Sequence, residues 1–159
     1  MQNNLDIQAV RHAALHLHKV LIQAVRLDYE QANGRVEHPT HLWQLVLNDE
    51  KFAWLRPLSQ WLVTLDDEPD LANAETDEVS RNDVFAAAVG GLDHTAGVRR
   101  LERSAAVRGE LESLFSDPGW TQPYLQVLQD VPEAVIAHAR LQHELQRLPA
   151  SEVGDELLS

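Results

Sequence analysis

The chain has 159 residues, a net charge of −12 and no cysteine. The missing thiols exclude disulfides, thiolate metal sites, iron–sulfur clusters and cysteine nucleophiles, and they suit a reducing compartment. A net acidic chain is a poor ligand for phosphate backbones, whose binding draws on released counterions, so no nucleic-acid partner is expected.

A chain of this length buries roughly 70 % of its unfolded surface as one domain, enough to fold without metal or cross-links. No uncharged run approaches the roughly 20 apolar residues that span a bilayer. The first six residues lack the basic start and apolar core of a signal peptide. The expectation is a single domain over 1–159, soluble and cytoplasmic, with no membrane partner.

Strand-type alternation is nearly absent and helical periodicity recurs, which predicts an all-α bundle of about four to six helices. The first helix is predicted over about 5–33. Its apolar face joins Val10, Ala13, Ala14, Leu17, Val20, Leu21, Ala24 and Val25, and Gly34 stands where a left-handed C-cap belongs. The second helix begins near His38, Pro39 and Thr40 and carries Leu42, Trp43, Leu45 and Val46. Asn48 and Asp49 then offer a break or a fresh cap.

The stretch 52–65 follows. At 100° per residue, Phe52, Trp54, Leu55, Leu58, Trp61, Leu62, Val63 and Leu65 cover an arc of roughly 200°, about twice the stripe a surface helix needs. Gln60 and Thr64 mark its narrow wet face. This helix is therefore expected at the centre of the bundle, buried on two sides. Pro57 removes a backbone donor and clashes with the preceding turn, so a kink or a restart is expected there.

Residues 66–80 read as an exposed acidic linker, with seven carboxylates and no basic side chain over 66–78. Leu71 stands where a calcium loop starting at Asp66 needs glycine. A short helix at 82–89 and a joint containing Gly90, Gly91 and Gly97 lead into a helix at about 98–115. There Arg99, Arg100, Arg103 and Arg108 interleave with Glu102, Glu110 and Glu112, the pattern of a solvated, salt-bridged face. Ser116, Asp117, Pro118 and Gly119 read as a turn. Helices at 122–130 and 132–148 complete the chain, with a frayed tail at 149–159.

Asp28 breaks the pattern of the first helix, falling in angular register with Val10, Leu17 and Leu21. A carboxylate desolvated there needs a cation or several donors. Arg56, at the edge of the wide apolar arc, and His138, inside the stripe of Val131, Ala134, Val135, Leu141 and Leu145, could answer it. One reading is an interhelical pocket that holds Asp28, Arg56 and His138 beside Trp54 and takes a small molecule. The other leaves Asp28 at the helix end in contact with water and His138 as a satisfied core histidine.

His12 and His16 have the spacing that puts two imidazoles on one helical face, but Lys19, Gln23, Arg26 and Glu30 mark that face as the solvent side. No metal site is expected. The chain has no metalloprotease or di-iron pair, no serine elbow, no dinucleotide fingerprint and no P-loop, so no cofactor and no catalytic residue is indicated. Trp43, Trp54, Trp61 and Trp120 fit core packing, or anchoring of a partner.

The run Asn48 to Ser59, with Phe52, Ala53, Trp54, Leu55, Arg56, Pro57 and Leu58 at its heart, resembles a signature of small bacterial helical proteins of unknown function. Asp28, Tyr29, Glu30 and Gly34 match the acidic end of their first helix, and Val135 to Ala139 resembles their last. The resemblance implies a bacterial all-helical protein and carries over no catalytic residue. The leading expectation is a non-enzymatic interaction protein, a homodimer through an apolar helical face or a binder of another protein. The alternatives are the interhelical pocket and an acidic strip at 66–78 that docks a basic partner.

Overall fold

The computed structural model describes residues 2–66 and 94–150, and among them the backbone is helical with no strand. Helix α1 covers Gln2–Asn33, α2 Pro39–Asn48, α3 Glu50–Ala53 and α4 Arg56–Asp66. Helix α5 covers His94–Ser116, α6 Pro118–Asp130 and α7 Pro132–Arg147. The fold is all-α, as the periodicity predicts. The acidic linker expected beyond residue 66, the short helix at 82–89 with the glycines that follow it, and the tail from 151 lie outside the described residues. Gly97 does not interrupt α5, which begins three residues before it.

The hub of the bundle is α1, not the tryptophan-bearing stretch. Its most extensive pairing is with α7, and it also packs on α3, α4 and α5. An ion pair of 3.0 Å between Asp6 and Arg147 places the start of α1 beside the end of α7, so the two run antiparallel. Ile7, Val10, Ala13, Ala14, Leu17, Val20, Leu21 and Val25 are buried along α1, with Ala134, Ala137, Leu141 and Leu145 along α7. Small side chains on both faces let the axes approach, and each fully buried leucine contributes about 1.5–3 kcal/mol.

The turn after α1 is tied by side chains. Gly34 has φ +91° and donates its N–H to the Glu30 carbonyl at 3.0 Å, closing the helix in the left-handed conformation that glycine favours. The Glu30 carboxylate accepts the Val36 N–H at 2.8 Å and Arg26 Nε at 3.0 Å, and Arg26 Nη2 donates to the Val36 carbonyl at 2.8 Å. The Val36 N–H and then Arg26 hold the Glu30 carboxyl below the usual carboxylate range. This knot fixes the direction in which α2 leaves α1.

The stretch 50–66 is two helices rather than one rod. Asp49 caps α3, its side chain accepting the Lys51 N–H at 2.8 Å. The chain turns at Trp54 and Leu55, where the Leu55 N–H reaches the Phe52 carbonyl at 3.0 Å. Helix α4 then restarts at Arg56, with Pro57 in its first turn, where the missing N–H has no intrahelical partner to lose. Phe52, Leu55, Leu58, Trp61, Leu62 and Leu65 are buried, and Trp61 Nε1 donates to Glu110 on α5 at 3.0 Å.

Helix α6 begins four residues before the predicted start. Asp117 accepts the N–H groups of Gly119 at 2.8 Å and Trp120 at 3.3 Å, and Pro118 occupies the first turn. The residues that read as a free turn are a cap and the helix start it secures. Among the described residues, no helix is long and apolar enough to cross a membrane.

Candidate functional site

A groove of about 470 Å³ opens between α1, α2 and α4. Helix α1 contributes Leu15, His18 and Ile22, and α2 contributes Leu42, Trp43, Val46 and Leu47 with Pro39 at its start. Helix α4 contributes Arg56, Ser59, Gln60, Leu62 and Val63. The volume falls within the range of about 300–1,000 Å³ typical of small-molecule sites, and the walls are mostly apolar, as such sites are. Among the described residues, no carboxylate lines the groove.

The rim is apolar and open to solvent. Trp43 is 65 % exposed, Leu47 60 % and Val63 57 %. Val63 is a part of the 200° arc that no described helix covers. Polar groups line the groove as well. His18 Nε2 lies 2.7 Å from Ser59 Oγ, and Ser59 also donates to the Leu55 carbonyl at 3.2 Å. A hydroxyl has one proton, so the imidazole donates to Ser59 and carries its hydrogen on Nε2. Burial pushes the His18 pKa below 6.5 and keeps the ring neutral at pH 7. Arg56 begins α4, and its Nε is buried with no hydrogen-bond partner among the described residues.

The residues predicted to form one pocket are divided among three places. Asp28 is not desolvated; its side chain is 68 % exposed and pairs with Lys51 at 2.8 Å. The next residue, Tyr29, packs against the core and meets Phe52 with ring centroids 6.4 Å apart, while Asp28 faces outward to Lys51. Asp28 and Trp54 line a separate, more polar cleft of about 630 Å³ between α1, α3 and α6. Arg56 belongs to the groove, which His18 and Ser59 also line.

His138 is a satisfied core histidine. Its Nδ1 lies 2.6 Å from the Tyr124 hydroxyl, and burial pushes its pKa below 6.5. Burial also raises the Tyr124 pKa, so the phenol keeps its proton and donates it to Nδ1. Around them Trp54 meets Trp120 edge-on with ring centroids 5.5 Å apart, and Phe115 meets Trp120 at 4.8 Å. These contacts are aromatic packing in the favoured tilted geometries. Trp120 Nε1 is buried there without a partner among the described residues.

His18 and Ser59 escaped the sequence reading. The signal available was the spacing of Leu15, His18 and Ile22, a second apolar stripe beside the core face of α1. His12 is exposed and bonds the Gln8 carbonyl at 2.8 Å; His16 is exposed as well. No family model, no curated protein and no solved structure matches the chain.

Proposed function

We propose that the protein is a non-enzymatic binding protein of the cytoplasm that takes a small, largely apolar ligand in the groove between α1, α2 and α4. One observation carries this reading. An apolar groove of about 470 Å³ is lined by Arg56, whose Nε is buried with no partner among the described residues. A buried donor left unpaired costs about 1–3 kcal/mol, which an acceptor brought by a ligand recovers. The His18 and Ser59 pair that also lines the groove offers further polar contacts to orient a ligand.

The test fills the groove. Leu15→Trp and Val46→Trp add bulk at its walls, and 1-octanol serves as a neutral apolar probe in a thermal-shift titration. The reading expects 1-octanol to raise the melting point of the native chain by mass action and to leave the filled variants unmoved. Equal shifts in native and filled chains place the probe elsewhere and overturn it.

A second reading is favoured by the open rim. Trp43, Leu47 and Val63 are exposed side by side at the groove, and tryptophan is a common anchor of protein contacts. In that reading a second copy of the chain covers the rim and the protein works as a homodimer.

A further inference from the structure

We propose that the ligand of this groove is a monocarboxylate with an apolar tail, its carboxylate paired with the Arg56 guanidinium and its tail along Leu15, Ile22, Val46 and Leu62. The inference rests on the groove being a ligand site and adds the chemistry of the ligand's head. Charge complementarity carries it. Among the described residues, no aspartate or glutamate lines the groove. Arg56 lines it and forms no ion pair with any described residue, whereas Arg26, Arg108 and Arg147 each hold a carboxylate.

A guanidinium presents a planar fork that matches a carboxylate in two parallel hydrogen bonds, and a charged acceptor suits a buried donor best. The number of charges selects among anions. His18 is kept neutral by burial, so the groove supplies one positive charge, that of Arg56. One negative charge balances it. A dianionic phosphate leaves surplus charge among leucine, valine and isoleucine side chains, where desolvated charge is unfavourable.

Octanoate, 1-octanol, octylamine and octyl phosphate are titrated by calorimetry into the full chain and into Arg56→Gln and Arg56→Lys. The expected result is octanoate at least tenfold tighter than 1-octanol, octyl phosphate weaker than octanoate, and octylamine the weakest. Arg56→Gln removes the preference for octanoate and leaves 1-octanol unchanged, while Arg56→Lys retains part of it. Should Arg56→Gln fail to fold by circular dichroism, the native chain still decides: octylamine binding as tightly as octanoate overturns the proposal. Octyl phosphate binding more tightly than octanoate overturns the choice of carboxylate. Octanoate and 1-octanol binding equally in native chain and variants also overturns it while leaving the groove as a ligand site. If no probe binds, the groove reading fails with it, and a dimer disrupted by Trp43→Glu then assigns the surface to a second copy.

Discussion

His18 on α1 donates its Nε2 proton to the Ser59 hydroxyl on α4 across 2.7 Å, tying two helices together at the groove. Ser59→Ala removes the acceptor and leaves a half-buried imidazole N–H to find water. The expected loss is about 1 kcal/mol of stability, read as a lower midpoint in urea. A double-mutant cycle with His18→Ala yields a coupling of about 0.5–3 kcal/mol if the bond forms in solution. Additive losses show that it does not.

Acid stability follows from the two half-buried imidazoles. Burial lowers the pKa of His18 and of His138 in the folded chain below 6.5. Well above pH 6.5 both are neutral, folded or unfolded, and stability is at its full value. As pH falls below 6.5 the unfolded chain takes up protons first, and stability drops until the pH has passed through the folded values. The slope reaches at most about 1.4 kcal/mol per pH unit for each proton. Urea midpoints from pH 7.5 to 5 trace it. His18→Gln flattens the curve, and an unchanged slope in that variant removes His18 as a cause.

Trp43 is a clean probe of the rim because its side chain is mostly in water. Trp43→Glu is expected to change stability by no more than about 0.5 kcal/mol, as exposed substitutions do. If a second copy covers the rim, the same change converts the dimer to a 17.9 kDa monomer by light scattering. A native chain that already scatters as a monomer excludes self-association through this face.

Two leucines on α1 separate burial from helix propensity. Leu17 is fully buried and Leu27 is 59 % exposed. Leu17→Ala is expected to cost about 2–5 kcal/mol, through lost transfer energy and the cavity left behind. Leu27→Ala stays within about 0.5 kcal/mol. Similar losses at both sites contradict the orientation of α1 described above.

Asp28 and Arg56 line different clefts, so their substitutions act independently. Asp28→Asn removes an exposed pair with Lys51 worth at most about 1 kcal/mol. Combined with Arg56→Ala, the effects add to within about 0.5 kcal/mol. Coupling beyond that would falsify their separation.

What the sequence makes legible is decided by period and punctuation. The face of α1 from Val10 to Val25 reads directly from its spacing, and two residues mark helix boundaries, Gly34 by its left-handed backbone and Asp49 by its capping side chain. Asp28 shows the limit of that reading. Its angular position matches Leu17, but angle describes a helix alone, and burial also depends on where the neighbouring helices lie. The hub was misplaced for a related reason. The 50–66 stretch is richer in large apolar side chains, yet α1 is longer and reaches more neighbours. Arg56 stands out in the sequence as a charge at the edge of an apolar helix, and the structure places it along the groove. Its companions do not stand out, since His18 and Ser59 lie 41 positions apart and meet only through packing.

The antiparallel union of α1 with α7 bears on how the molecule is made. Asp6 emerges from the ribosome long before Arg147, so the strip of the first helix that α7 covers has no native mate until synthesis is nearly over. Long-range closure of this kind slows maturation and exposes the nascent polypeptide to sticking. Chaperone demand during translation should therefore track the apolarity of α1 more than that of any later helix.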